Sequence, residues 1–300
     1  MNKEEIVRKE IRLIVRELGL LNHNCFHSDL TLAQAHILNY LKQNGKTPFN
    51  ELLINLGIDK ASLSRIISNL EAKNYLELSK SEGDKRMKDI SLLPSGLSAI
   101  REGDQKANTF FHEILDLGDP EHINNIVRTL REFHILALKN NLKKNDARIR
   151  IEPIYENYME DAIRLATEVF TDEQGIPAEL IPVNDKLNPI WWCARVGEDI
   201  IGAAAAWKEN DKWHWGRFAV DKGLRGIGIG QKLALYSLNE IFNRYTDELY
   251  IEARDVTVTM LKKFGCKVIG EAEEFYDDIV TPIILNKSSF KNHLNSLGSN

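Results

Sequence analysis

Phe218-Ala219-Val220-Asp221-Lys222-Gly223-Leu224-Arg225-Gly226-Ile227-Gly228-Ile229-Gly230-Gln231 decides how the second half of this 300-residue chain reads. The run from Trp213 to Val220 predicts a strand, followed by a short turn and a glycine-rich loop. Beyond the loop, Ala234, Leu235, Leu238, Ile241, Phe242 and Tyr245 recur at helical spacing and predict a helix. A glycine loop opening a helix presents free backbone N–H groups with the positive end of the helix dipole behind them. That is an anion site suited to a pyrophosphate, and glycine lets a ligand approach the backbone closely.

The order of residues narrows the ligand. Gly230 is followed by Gln231-Lys232-Leu233, so the Gly-Lys-Ser/Thr of a P-loop is missing. The spacing G-x-G-x-G differs from the dinucleotide fingerprint G-x-G-x-x-G. Arg225-x-x-Gly228-x-Gly230 after a strand ending Phe-Ala-Val resembles instead the coenzyme A loop of the GNAT superfamily of N-acetyltransferases. The resemblance implies acetyl-CoA as co-substrate. Phe218, Ala219 and Val220 would line the pantetheine, and Arg225, Gly226, Ile227, Gly228, Ile229, Gly230 and Gln231 would hold the pyrophosphate. A glycine-rich turn that binds nothing is the plainer reading.

Composition bounds the rest. Three hundred residues suggest about two domains. No apolar run approaches the ~20 residues of a membrane span, and Met1-Asn2-Lys3-Glu4-Glu5 reads as a charged helix start, not a secretory leader. Cys25, Cys193 and Cys266 are scattered, which predicts neither a disulfide frame nor a metal site and favours a reducing cytoplasm. Residues 1–146 carry 21 Lys+Arg against 20 Asp+Glu, and residues 147–300 carry 18 against 24. Neither half is strongly basic, so any nucleic-acid contact must be a local patch.

The first half is helical. Ile6, Val7, Ile11, Ile14, Val15 and Leu18 mark a helix ending at Gly19, and Thr31-Leu32-Ala33-Gln34 is a capping box for another. A short helix from about Phe49 to Leu56 stops at Gly57. Asp59 then caps a helix that buries Leu63, Ile66, Ile67 and Leu70 and turns Lys60, Ser62, Ser64 and Arg65 outward. Two short helices joined by a tight turn suggest a helix-turn-helix, whose second helix would enter the major groove. Tyr75–Leu78 and Asp89–Leu92 read as the strands of a β-hairpin wing with a polar tip from Ser79 to Lys88. Asp84-x-Arg86, followed by Ile90-x-Leu92-x-Pro94-x-Gly96, resembles the wing of the MarR family of winged-helix regulators, with Leu93 where that family usually has threonine. The resemblance covers about residues 5–143. It implies that Arg86, oriented by Asp84, reaches the minor groove of double-stranded DNA. It also implies that long helices from about Pro94 to Leu115 and Pro120 to Asn141 form a homodimer with the first helix.

The polar stretch 140–147 reads as a linker, giving a MarR-like winged helix-turn-helix domain (1–145), a GNAT-like acetyltransferase domain (146–290) and a frayed tail from about Ser288, residues 291–300 at least. The fold class is two-part: a helix-rich α+β winged helix, then an α/β fold with a mixed, mostly antiparallel sheet. Two residues are candidate catalytic bases. Glu173 lies in Val169-Phe170-Thr171-Asp172-Glu173-Gln174-Gly175, similar to a substrate-side loop of bacterial GNAT enzymes; a surface carboxylate at the C-terminal end of a helix is the plainer reading. His214 shares a strand face with Gly216, Phe218 and Val220 by period two. It stands where the histone acetyltransferase type of GNAT has its glutamate base, and imidazole suits amine deprotonation near neutral pH. A core histidine is the plainer reading. Leu261 occupies the position of the tyrosine acid that many relatives use. Three functions follow: a regulator that also acetylates an unknown amine acceptor, a regulator that senses acetyl-CoA without turnover, and an acetyltransferase whose winged helix only dimerises.

Overall fold

The computed structural model describes residues 2–21, 24–80, 88–154 and 156–297. The chain divides into two compact units, Met1–Arg131 and Glu132–Asn300.

The first unit contains α1 (Lys3–Glu17), α2 (Leu32–Asn44), β1 (Thr47–Pro48), α3 (Phe49–Leu56), α4 (Lys60–Ala72), β2 (Leu76–Lys80), β3 (Lys88–Leu92), α5 (Pro94–Leu115) and the start of α6 (Pro120–Lys144). The caps fall where the sequence puts them. Thr31 and Gln34 form the capping box of α2, and Asp59 accepts from the Ser62 N–H. Gly57 closes α3 in the left-handed conformation, φ +62°. β1, β3 and β2 form a small antiparallel sheet, so the wing is a hairpin docked on a third strand. Ile37, Leu38, Leu41, Leu52, Leu63, Leu70 and Ile90 fill the core. Leu93 supplies no side-chain cap to α5, and Pro94 starts the helix instead. Gly96 is dictated by space: a Cβ there would lie 2.1 Å from the Tyr75 carbonyl oxygen.

The second unit holds the end of α6, then β4 (Arg150–Pro153), α7 (Glu156–Gln174), β5 (Ile190–Val196), β6 (Asp199–Glu209), β7 (Lys212–Val220), α8 (Ile229–Arg244), β8 (Glu248–Ala253), α9 (Asp255–Lys263), β9 (Lys267–Val268), β10 (Glu273–Phe275), β11 (Asp278–Asn286) and α10 (Lys287–Leu297). The strands form one sheet in the order β10-β11-β8-β7-β6-β5-β4, with β9 beside β11. Every pairing is antiparallel except β7 with β8. Ala203, Ala204, Ala205 and Ala206 are fully buried along β6. Their small side chains let helices pack close on both faces, α8 on one and α7 on the other.

Three expectations need correction. Glu173 was expected in a loop, but α7 runs on to Gln174 and the chain leaves the helix at Gly175, φ +63°. The tail expected from Ser288, residues 291–300 included, is mostly helix: α10 spans Lys287–Leu297. Its Phe290 is fully buried between Phe242 and Phe264, at 5.4 and 5.9 Å between ring centroids. Leu294 packs on the same core and the His293 ring lies 5.0 Å from that of Phe264, so one face of α10 is docked. The polar stretch 140–147, read as the linker, is helical as far as Lys144: Leu142 is buried with Ile135 and Leu138 in the core of the second unit, and Asp146 pairs with Lys232.

Candidate functional site

One surplus residue shapes the site. β7 pairs Ala219 with Ala203 and Gly216 with Ala205, so Arg217 and Phe218 stand against Ala204 alone. This is a β-bulge, with Arg217 at φ +50°. An extra residue reverses the alternation of side chains. His214 and Gly216 lie on the α7 face, where a Cβ on Gly216 would touch the Trp207 ring at 3.2 Å. Phe218 and Val220 lie on the opposite face, with Trp215 and α8. The expectation that His214 shares a face with Phe218 and Val220 is therefore wrong, because the bulge intervenes.

The bulge also opens the sheet. β7 and β8 are in register only at His214 and Tyr250, and residues beyond that pair on both strands line a cleft. Asp221 donates its N–H to the Ile201 carbonyl at 3.0 Å, so the Gly202/Val220 pair is of the non-hydrogen-bonded kind. The N–H and C=O of Val220 therefore face away from β6, toward the widening seam. A cleft of ≈ 160 Å³ occupies the seam, lined by His214, Arg217 and Phe218 from β7, by Tyr250 and Glu252 from β8 and by Arg254 at the N-cap of α9.

The glycine loop lies past the end of β7. Asp221 accepts from the Gly223 N–H in a tight turn. Gly226 and Gly228 have φ +82° and +86°, and a Cβ on either would meet open space. Gly228 is the N-cap of α8, and no side chain caps it. The first-turn N–H groups thus open onto an uncrowded surface, which fits an anionic ligand. Ile229 is buried, and Gly230 sits 3.3 Å from the Phe218 ring by its would-be Cβ.

Arg225 is committed elsewhere. Its Nε donates to the Val220 carbonyl at 3.1 Å, and its two Nη groups bracket Glu173 at 2.7 and 3.0 Å. Glu173 also meets Arg254 at 3.3 Å, and Arg254 reaches Asp278 at 3.0 Å. Burial by itself would raise the Glu173 pKa, but the hydrogen bond and charge of Arg225, then of Arg254, outweigh it and hold the carboxyl below its ordinary value. A carboxylate bracketed by two guanidiniums is a poor proton acceptor.

His214 is half-buried and stacks on Trp207, 5.7 Å between centroids with 13° between planes. Glu252 shares its cleft and is exposed. Leu261 is fully buried in the core. Tyr250 gives its O–H to Glu248 at 3.0 Å. Sequence reasoning missed Arg217 and Glu252. Period two along β8 puts Glu252 on the face of Tyr250, but that points to the cleft only once β8 is known to adjoin β7. For Arg217 no signal precedes the bulge.

In the first unit, Lys60, Ser64 and Arg65 are exposed on α4, and Ser62 is half-buried. Arg65 Nη2 donates to Ser62 Oγ at 3.3 Å. Gln34 donates to Asn69 at 2.7 Å and fixes α4 to α2. Asp84 and Arg86, at the wing tip, lie outside the described residues. Among the described residues no group of His, Cys, Asp and Glu could hold a metal ion, and no helix is long and apolar enough to cross a membrane.

Two family models match separate parts of the chain: the MarR family over residues 28–87 and the acetyltransferase (GNAT) family over residues 152–265. Among solved structures, the chain is similar to Escherichia coli ElaA at 19% identity and TM-score 0.41, over 46% of this chain and 99% of ElaA. A GNAT-family acetyltransferase from Staphylococcus aureus aligns at 20% identity and TM-score 0.38, over 46% and 99%. Bordetella bronchiseptica BpsR, whose DNA binding is regulated by 6-hydroxynicotinic acid, aligns at 23% identity and TM-score 0.37, over 43% and 98%. None of the curated proteins matches the chain.

Proposed function

We propose that this chain, a MarR-type DNA-binding segment fused to a GNAT acyltransferase domain, is a cytoplasmic dimeric regulator that transfers acetyl from acetyl-CoA to an amine. The observation that carries the transferase reading is the pairing of an uncapped glycine N-terminus on α8 with a seam opened by the β7 bulge. The N–H groups of Gly228, Ile229 and Gly230 would hold the pyrophosphate, and Arg225 would brace their loop through Glu173. The thioester would lie in the seam, its carbonyl polarised by the outward Val220 N–H.

His214 is the proposed base. It lies on the α7 face of the cleft, free of carboxylate partners among the described residues, whereas Glu173 is doubly paired. The amine nitrogen would attack the thioester carbon, its proton passing to His214. The C–S bond would then break, and the thiolate would take a proton from water, since Leu261 offers none. The test is calorimetry with acetyl-CoA. Gly228→Glu places a carboxylate where the pyrophosphate would sit and should abolish binding; equal affinity in both proteins would remove the cofactor assignment.

For the first unit, the supporting observation is an apolar face without cover. None of the residues of α1 is buried, and Ile6, Ile11 and Ile14 are exposed, as are Ile126, Val127 and Leu130 of α6. A second copy of the chain is the proposed cover, which would present two α4 helices to a palindromic site.

A further inference from the structure

We infer that the acceptor is an α-amino acid with an apolar side chain, its carboxylate bound by Arg217. This rests on the transferase reading above.

The guanidinium of Arg217 is aimed by the bulge. A positive φ throws its side chain out of the regular alternation and onto the α7 face, the face of His214. There it lies over the Trp207 ring, 5.5 Å from the centroid, and Trp207 in turn stacks on His214. One edge of the guanidinium is occupied: Nε donates to the Ile181 carbonyl at 2.6 Å and Nη2 to the Leu180 carbonyl at 3.0 Å. The Nη1–Nη2 edge has no partner among the described residues, and no carboxylate there pairs with Arg217. Glu173 and Asp278 are taken by Arg225 and Arg254, and Glu252, the acid that lines the same cleft, makes no ion pair with Arg217 among the described residues. Burial disfavours the charged form of Arg217. A half-buried cation with fixed orientation and one free fork matches a carboxylate, which takes both N–H groups at once.

The rest of the cleft completes the class. Phe170, Ile176, Trp207 and Phe275 supply apolar walls, and His214 stands ready for the amine proton. In the proposed reaction the α-amine nitrogen bonds to the acetyl carbon and the thioester C–S bond breaks. The amine proton goes to His214, leaving an N-acetyl amino acid and the coenzyme A thiol, its sulfur protonated from water.

The experiment compares L-phenylalanine, L-leucine and L-methionine, each with the amine that lacks its carboxylate, in wild type, Arg217→Lys and Arg217→Met. The wild type should prefer at least one amino acid over its amine by roughly 10–100-fold in kcat/KM. That ratio should fall in Arg217→Lys and approach one in Arg217→Met. An arginine that only clamps the 180–181 loop would weaken both acceptors alike and leave the ratio unchanged, which overturns the inference. Turnover of the amines with no advantage for any amino acid also overturns it while leaving amine acylation standing. If nothing turns over, calorimetry with the N-acetyl amino acids decides. Binding that is lost in Arg217→Met keeps the carboxylate site and removes the reaction; no binding removes the site.

Discussion

Glu173 and Arg225 face each other as a two-pronged ion pair, Oε1 to Nη2 at 2.7 Å and Oε2 to Nη1 at 3.0 Å. The pair ties the last turn of α7 to the turn that leads into the glycine loop. A residue with the sequence context of a catalytic base is thus placed to hold the loop in shape.

Replacing Glu173 by Gln should therefore lower stability more than it lowers the chemical step. The loss should be about 1–3 kcal/mol at neutral pH, as a partly buried charged bond is removed. The pH dependence has a definite sign. The Glu173 pKa is depressed in the folded state, so its contribution is full above the ordinary carboxylate pKa and disappears as pH falls through the depressed value. Denaturant titrations of wild type and variant should differ at pH 7 and converge in acid. A gap that persists unchanged at low pH would contradict the ion-pair account.

His214→Gln should lower kcat by roughly 10²–10⁴ with acetyl-CoA affinity unchanged. Steady-state kinetics alongside calorimetry separates the two quantities. A wild-type kcat in this variant would move the base elsewhere, with Glu252 the next carboxylate on the same cleft.

Arg65 is exposed midway along α4. Removing it should cost about 1–3 kcal/mol of specific DNA affinity if it contacts a base edge. Affinity of the wild type should fall steeply with salt, as phosphate contacts require. A selection from randomised duplexes that enriches no palindrome would leave the winged helix as a dimerisation module only.

A fragment beginning at Glu132 should melt well above one beginning at Asp146. The longer fragment keeps Ile135, Leu138 and Leu142, each buried in the core of the second unit, and each worth about 1.5–3 kcal/mol. Ile135 lies so close to Gly223 that a Cβ there would approach its Cγ2 to 2.5 Å. Equal melting temperatures would show that these contacts are dispensable.

Much of this fold was legible because it is written in local patterns. The caps at Thr31 and Asp59, the stop at Gly57 and the glycines around Gly228 act within a few residues of themselves, so a reader of the chain can find them. What stayed hidden acts at a distance. Arg217 looks like any strand residue until Ala204 is seen to face two partners. Glu173 looks like a free acid until Arg225 and Arg254, 52 and 81 positions later, close on it. Phe290 sits in a polar terminal stretch and shows its weight only against Phe242 and Phe264.

The bulge of β7 makes the placing of one cation depend on one codon. Remove Arg217 in frame and the alternation would run unbroken from Trp213 to Val220, with Phe218 against Ala204 on the α8 face, where it already lies, and no guanidinium over Trp207. The same sequence, one residue shorter, would keep its sheet and lose the cation that the bulge places in the cleft. A lineage could lose or regain this charge in a single replication slip, leaving the core, the helices and the glycine loop untouched.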